Sequence, residues 1–224
     1  MQVATLLDFD GVLVDSEAIH LAAFNDALAG LGATISRQEY DDHFLSLDDA
    51  GVFHKVLERR GAAVRDREHD VQRLAAEKGR CFMARFEDAF RPFPGAADLV
   101  GRRRLRGPMG IVSGALEREI TFALERMGVL SKIDFIVSAE NAPASKPDPS
   151  PFRLAREVLR ALGHEGPAVA VEDSTGGVLS AKRAGLRCVA VTHTYPAREL
   201  LEAGADATVP DLAALSDELL DGAL

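Results

Sequence analysis

Short, mostly apolar runs recur along this chain at residues 3–8, 109–113, 134–138, 168–172 and 187–191, with a weaker one at 207–209. Runs of this length, bounded by turn residues, predict strands buried on both faces of a parallel sheet. Between most of them apolar residues return at three- and four-residue spacing, which predicts helices, so the second half reads as repeated β-α units. The first interval breaks that rhythm. A crossover needs about a dozen residues, yet about a hundred separate the first two runs. The pattern there is helical throughout, which predicts an inserted helical domain.

Within the insertion, Ser16 can cap a helix that carries Leu21, Phe24, Leu28 and Leu31 on one stripe and stops at Gly32. Ser36-Arg37-Gln38-Glu39 reads as a capping box for a second helix. Asp48 or Asp49 starts a third that ends at Gly61, and Asp66 starts a long fourth with Val71, Leu74, Lys78, Cys81, Arg85 and Ala89 near one face. Arg91-Pro92-Phe93-Pro94-Gly95 stops it. The expected architecture is α/β: a doubly wound, Rossmann-like parallel sheet formed by residues 1–15 and 92–224, with an all-helical domain at 16–91. Two chain crossings, near 11–15 and 91–95, would make a hinge between them.

The ends of the strand runs carry the chemistry. Asp8 ends the first run and Asp10 stands two residues on, so an extended chain turns both carboxylates to one side. Two carboxylates that close repel one another, and a hard cation shared with phosphate oxygens relieves the repulsion; Mg²⁺ commonly takes one or two carboxylates plus phosphate and water. Ser113 and Gly114 end the second run, Lys146 follows the third, and Glu172-Asp173-Ser174 ends the fourth. Taken singly, these are ordinary turn, cap and surface residues. Taken together, at the C-terminal ends of strands in a doubly wound sheet, they assemble one site.

Composition narrows the partners. A formal net charge of −9 disfavours nucleic acid and anionic membranes, since both call for a basic face. No run is long enough to span a membrane, and Met1 leads into a strand without a basic leader. Cys81 and Cys188 are expected to be buried free thiols, as suits a cytoplasmic protein. A monomer or weak homodimer is expected. The run Arg102-Arg103-Arg104-Leu105-Arg106 is expected to be a solvated helix end that complements the helix dipole.

These motifs resemble the haloacid dehalogenase superfamily, in its subgroup of phosphatases and sugar-phosphate mutases with a helical cap. Asp8-Phe9-Asp10-Gly11 matches the first motif of that family, Ser113 the second, Lys146-Pro147 the third and Glu172-Asp173 the fourth. The resemblance implies Mg²⁺-dependent hydrolysis of a small phosphorylated substrate. Asp8 would be the nucleophile and form an aspartyl-phosphate, and Asp10 the general acid and then base. It implies a metal site of Asp8, Asp10 (through its backbone carbonyl) and Asp173, with Glu172 in contact directly or through water. Ser113, Gly114 and Lys146 would hold the phosphoryl group. His20 stands where mutases of the group have a His, which suggests contact with substrate. The stretch His43 to Asp49 falls where a specificity loop is expected, but lacks the Gly and the basic residue that such mutases use for a second phosphate. Its two acids would repel one. A phosphatase is therefore the leading expectation, ahead of a β-phosphoglucomutase-type mutase and, distantly, a non-catalytic phospho-switch resembling a receiver domain.

Overall fold

The computed structural model describes residues 2–45, 47–61 and 64–222, without the side chains of 64–67. Six strands form one sheet: β1 (Ala4–Leu7), β2 (Met109–Val112), β3 (Phe135–Val137), β4 (Ala168–Glu172), β5 (Arg187–Val191) and β6 (Ala207–Val209). Every pairing is parallel, and the order is β3-β2-β1-β4-β5-β6. Central strands carry no outward polar face because both sides are covered: Ala4, Leu6 and Leu7 of β1 are all fully buried. Progress is leftward from β1 to β3 and rightward from β4 to β6. Right-handed crossovers therefore put α5 (Ala96–Arg104) and α6 (Glu117–Arg126) on one face. The same rule puts α7 (Ser150–Ala161), α8 (Thr175–Arg183) and α9 (Ala197–Glu202) on the other. Phe152, Ala155 and Leu159 of α7 and Val178 and Ala181 of α8 pack there with Leu6, Ala170 and Cys188 of the sheet. The chain is a doubly wound α/β fold.

Two compact units divide the chain: Met1–Asp15 with Arg91–Leu224, and Ser16–Phe90. Where the chain leaves and re-enters the sheet unit, the two crossings run side by side. Val14 bridges Pro92 in antiparallel fashion, and the Asp15 N–H donates to Arg91 O at 3.0 Å.

The second unit contains α1 (Glu17–Leu28), α2 (Arg37–His43), α3 (Asp49–Arg59) and α4 (Val64–Ala89). Its core is Phe24, Leu28, Tyr40, Phe44, Phe53, Leu57 and Leu74 with their neighbours. Ser16 holds the N-cap position of α1, but its side chain makes no capping bond. Ser36 accepts the Glu39 N–H, while the Glu39 carboxylate pairs with Arg59 rather than returning to the cap. Asp48, not Asp49, caps α3 by accepting the Gly51 N–H at 2.8 Å. The expected start of the fourth helix, the Asp66 side chain, and Ser46 of the 43–49 stretch lie outside the described residues. On α4 the buried stripe is Val71, Leu74, Lys78, Phe82 and Phe86. Cys81 is only partly buried and Arg85 and Ala89 are exposed, because beyond Lys78 the buried face continues in four-residue steps through Phe82 and Phe86, which bury more apolar area.

The arginine run also departs from expectation. Arg103 is fully buried at the end of α5, with Nη1 3.2 Å from Asp217 and 2.8 Å from Asp221, and Nε donating to Thr5 Oγ1. Arg102, Arg104 and Arg106 pair with Asp217, Asp134 and Asp221. The aspartates come mostly from α10 (Asp217–Asp221), more than a hundred residues away, so helical spacing could not reveal them. Cys188 is buried and Cys81 only partly so; both are free thiols. Among the described residues no helix is long and apolar enough to cross a membrane.

Candidate active site

In the order β3-β2-β1-β4-β5-β6 the winding direction reverses between β1 and β4, and the crevice beyond the carboxyl ends of such a pair is where doubly wound sheets bind ligands. Register fixes what meets there. Leu7 pairs with Val171, and the Asp8 N–H donates to Val171 O at 3.0 Å, so Asp8 emerges beside Glu172. On the other flank Leu7 pairs with Ile111, and Ser113 extends β2 by donating its N–H to Val137 O.

Lys146 ties the two halves together. Its Nζ lies 2.9 Å from Asp8 Oδ1 and 2.6 Å from Glu172 Oε1, and donates to Val112 O at 2.8 Å. Oxygens of Asp8, Glu172 and Asp173 all lie within 4.8 Å of one another, and all three residues are buried. Burial pushes the Asp8 carboxyl above its usual range, against the opposing pull of Lys146. Burial, then the charge of Asp8, lifts Glu172 to about 7. Burial alone would lower the Lys146 ammonium, but the charges of Asp8 and Glu172 outweigh it and hold it above its ordinary value. Three carboxylates facing one ammonium leave an excess of negative charge in a dry crevice. A divalent cation fits that excess, and hard oxygen donors suit Mg²⁺.

Glycines make the crowding possible. Gly11 has φ +73°, and a Cβ there would lie 1.8 Å from Asp173 Oδ2. Gly177, in the first turn of α8, faces Glu172 just as closely. Asp10 bridges Val14 in the turn after β1, and its charge acts on Asp8. Ser113 and Gly114, with Lys146, line a cavity of about 250 Å³ that extends over Ala139, Ala142 and Pro143. A Cβ at Gly114 would meet nothing within 4 Å, so its backbone faces open space.

Asp8, Lys146, Glu172 and Asp173 thus converge, with Asp10, Ser113 and Gly114 around them. His20 lies in the helical unit. There its Nδ1 sits 2.9 Å from Lys78 Nζ and its ring stacks on Phe82 at 4.3 Å. Lys78 also pairs with Asp49 at 2.9 Å, so the acids of the 43–49 stretch are already engaged, Asp49 by a cation and Asp48 as a cap.

Sequence reasoning missed the loop after β5. Thr194 donates its hydroxyl to Asp173 Oδ2, and His193 Nδ1 lies 2.8 Å from Gly11 O while its ring stacks on Phe93 at 3.9 Å. The loop follows a strand end on the same edge, and that position was the available signal.

Residues 5–191 match the family model described as haloacid dehalogenase-like hydrolase. The chain is 32% identical to protein CbbY of Cereibacter sphaeroides over 95% of this chain and 93% of that one. It is 30% identical to a phosphoglycolate phosphatase of Rhodospirillum rubrum over 98% of this chain and 91% of that one. A crystal structure of CbbY from Rhodobacter sphaeroides in complex with phosphate superposes with a TM-score of 0.83 at 28% identity, covering 99% of this chain and 100% of that one. The chain belongs to the haloacid dehalogenase-like hydrolase family and is a phosphoric monoester hydrolase.

Proposed function

We propose that this enzyme is a Mg²⁺-dependent phosphatase of small phosphorylated metabolites, sugar phosphates or phosphoglycolate-like compounds, working through an aspartyl-phosphate on Asp8. The observation that carries the reading is the meeting of Asp8, Lys146, Glu172 and Asp173 at the reversal of the sheet. Names of relatives support the substrate class: one is a validoxylamine A 7'-phosphate phosphatase, another a phosphorylated carbohydrates phosphatase. Two free thiols agree with a reducing, cytoplasmic setting.

Asp8 attacks phosphorus while Lys146, 2.9 Å from it, neutralises the charge that would repel an anionic nucleophile. Ser113 and the Gly114 N–H hold phosphoryl oxygens. Asp10 gives its proton to the departing alkoxide, and then takes one from the water that attacks the aspartyl-phosphate; inorganic phosphate leaves and Asp8 is restored. Asp8, Asp173 and the Asp10 carbonyl would hold Mg²⁺, with Glu172 behind them. Bound Mg²⁺ would supply charge neutralisation at the phosphoryl oxygens. Glu172 keeps Lys146 aimed, since the two lie 2.6 Å apart. Residues 16–90 serve as the cap, with His20 as its substrate-facing group, braced by Lys78 and Phe82.

Release of inorganic phosphate from a panel of phosphorylated metabolites, with and without Mg²⁺, tests the reading. Turnover is expected only with the metal, and Asp8→Asn, nearly isosteric but unable to form the acyl-phosphate, is expected to abolish it. Wild-type-like turnover by a deamidation-free Asp8→Asn sample would sink the assignment.

A further inference from the structure

A second cavity, of about 300 Å³, opens where β4 and β5 begin. Its walls include Arg156 and Arg160 of α7, His164 and Glu165 of the following turn, and Arg187 at the start of β5. Ala168 of this cavity and Glu172 of the metal-type carboxylates lie four steps apart along β4, a rise of about 13 Å, so no compact ligand can touch both places.

The arginines here differ from most others in the chain. Arg59, Arg85, Arg103, Arg104 and Arg106 each pair with an Asp or Glu. Arg156 and Arg187 donate instead to backbone carbonyls, those of Ala184 at 2.9 Å and Leu219 at 2.8 Å. Such a bond fixes a guanidinium without cancelling its charge. Arg187 keeps a buried Nε–H with no hydrogen-bond partner among the described residues. Arg160 is exposed, and its guanidinium makes no hydrogen bond or ion pair among the described residues. Glu165 is exposed and forms no ion pair among the described residues. Asp206 feels the charge of Arg187 but is taken by Lys182 at 2.7 Å and by the Cys188 N–H. Among the described residues, three guanidinium groups thus line one concavity without carboxylate partners, in a chain of net charge −9.

We propose that this cavity is a second binding site, separate from the active site, for a small multivalent oxyanion: a metabolite carrying two or more phosphate or carboxylate groups. The guanidinium fork matches either group in bidentate fashion. The volume, at the small end of ligand pockets, suits a compact anion rather than a nucleotide.

Titration of the full, metal-free chain with methylenediphosphonate and, separately, with tricarballylate, followed by amide NMR, tests this. Neither probe can be hydrolysed. Saturable shifts are expected at Gly166, Ala168, Gly185 and Arg187 with at least one probe, and the responding probe identifies phosphate-type or carboxylate-type recognition. Arg160→Glu, at an exposed position that folding does not need, should weaken that binding at least about tenfold. It should leave phosphatase turnover unchanged. Glu165→Gln should bind at least as tightly as the parent. Shifts confined to Ser113 and Gly114, shifts with neither probe, or equal affinity in Arg160→Glu would overturn the proposal.

Discussion

A Cβ built at Gly177 would lie 1.9 Å from Glu172 Oε2, a distance at which one group must move. Glu172 is the movable one, since Gly177 is fixed in α8 by the bond from its N–H to Ser174 Oγ at 3.0 Å. Gly177→Ala should therefore swing Glu172 off Lys146 and lower kcat by about a hundredfold, the usual effect of a displacement near 1 Å in a catalytic group. Gly176→Ala is the control, because a Cβ there meets nothing within 4 Å and should leave kcat unchanged. Equal rates in the two variants would deny Glu172 its aiming role. The adjacent carboxylates should also differ in their response to metal. Lys146 and the Ser174 hydroxyl occupy Glu172, whereas Asp173 is braced on one oxygen by Thr194. Asp173→Asn should raise the Mg²⁺ concentration needed for half-maximal activity more than Glu172→Gln does; the reverse order would exchange their roles. The paired acids could be read from sequence because they stand at strand ends, and Lys146 because it lies in the loop that follows β3. Thr194 and His193 share that signal, since they follow the end of β5, but a Thr or His there names no chemistry until the Asp173 carboxylate and the Gly11 carbonyl are beside it.

Helix α5 shows where periodicity stops informing. Its last turn holds Arg102, Arg103 and Arg104, which on helical spacing alone belong to a solvated end. Arg103 is instead fully buried, and its neutralising partners sit on α10 at the far end of the chain. Charge pairing between distant segments leaves no local trace, whereas capping does: Ser36 and Asp48 start α2 and α3 as their spacing predicts. Asp221 carries a testable consequence. Burial would lift its carboxyl, but hydrogen bonds from Arg106 and Arg103 outweigh this and hold it below the usual range. A carboxyl lower in the folded than in the unfolded chain stabilises above its unfolded pKa, and the contribution is lost as pH falls through the folded value. Asp221→Asn should cost about 3 kcal/mol at pH 7, because a buried guanidinium loses half its compensation. Below about pH 4 the gap to the parent should shrink. Urea unfolding of both proteins at the two pH values measures it, and a constant gap would assign the loss to packing rather than charge.

The strands and the helical insertion are visible in the apolar pattern, but their spatial order is not. A buried strand reads the same whichever neighbour it takes, and only β1 lying between β2 and β4 brings residues 8, 113 and 172 to one crevice. The balance between hydrolase and mutase depends on the helical unit as well as the sheet. A mutase must grip a second phosphate while the intermediate turns round, and must keep water from the aspartyl-phosphate meanwhile. Lys55 and Lys78 are the helical-unit lysines of the described structure with an assigned contact, and both are committed inside that unit. Lys55 donates to His43 O at 3.2 Å. Lys78 is buried between the Phe24 and Phe82 rings, paired with Asp49 and beside His20. Freeing Lys78 would leave Asp49 unpaired and open a gap in the Phe24–Phe82 packing. The aspartyl-phosphate is therefore expected to go to water. Incubated with glucose 1-phosphate and Mg²⁺, the enzyme should release inorganic phosphate without forming glucose 6-phosphate, whether or not a glucose bisphosphate is added. Glucose 6-phosphate that appears only with the bisphosphate, and faster than phosphate is released, would instead make the enzyme a mutase and require Lys78 to leave its pocket during turnover.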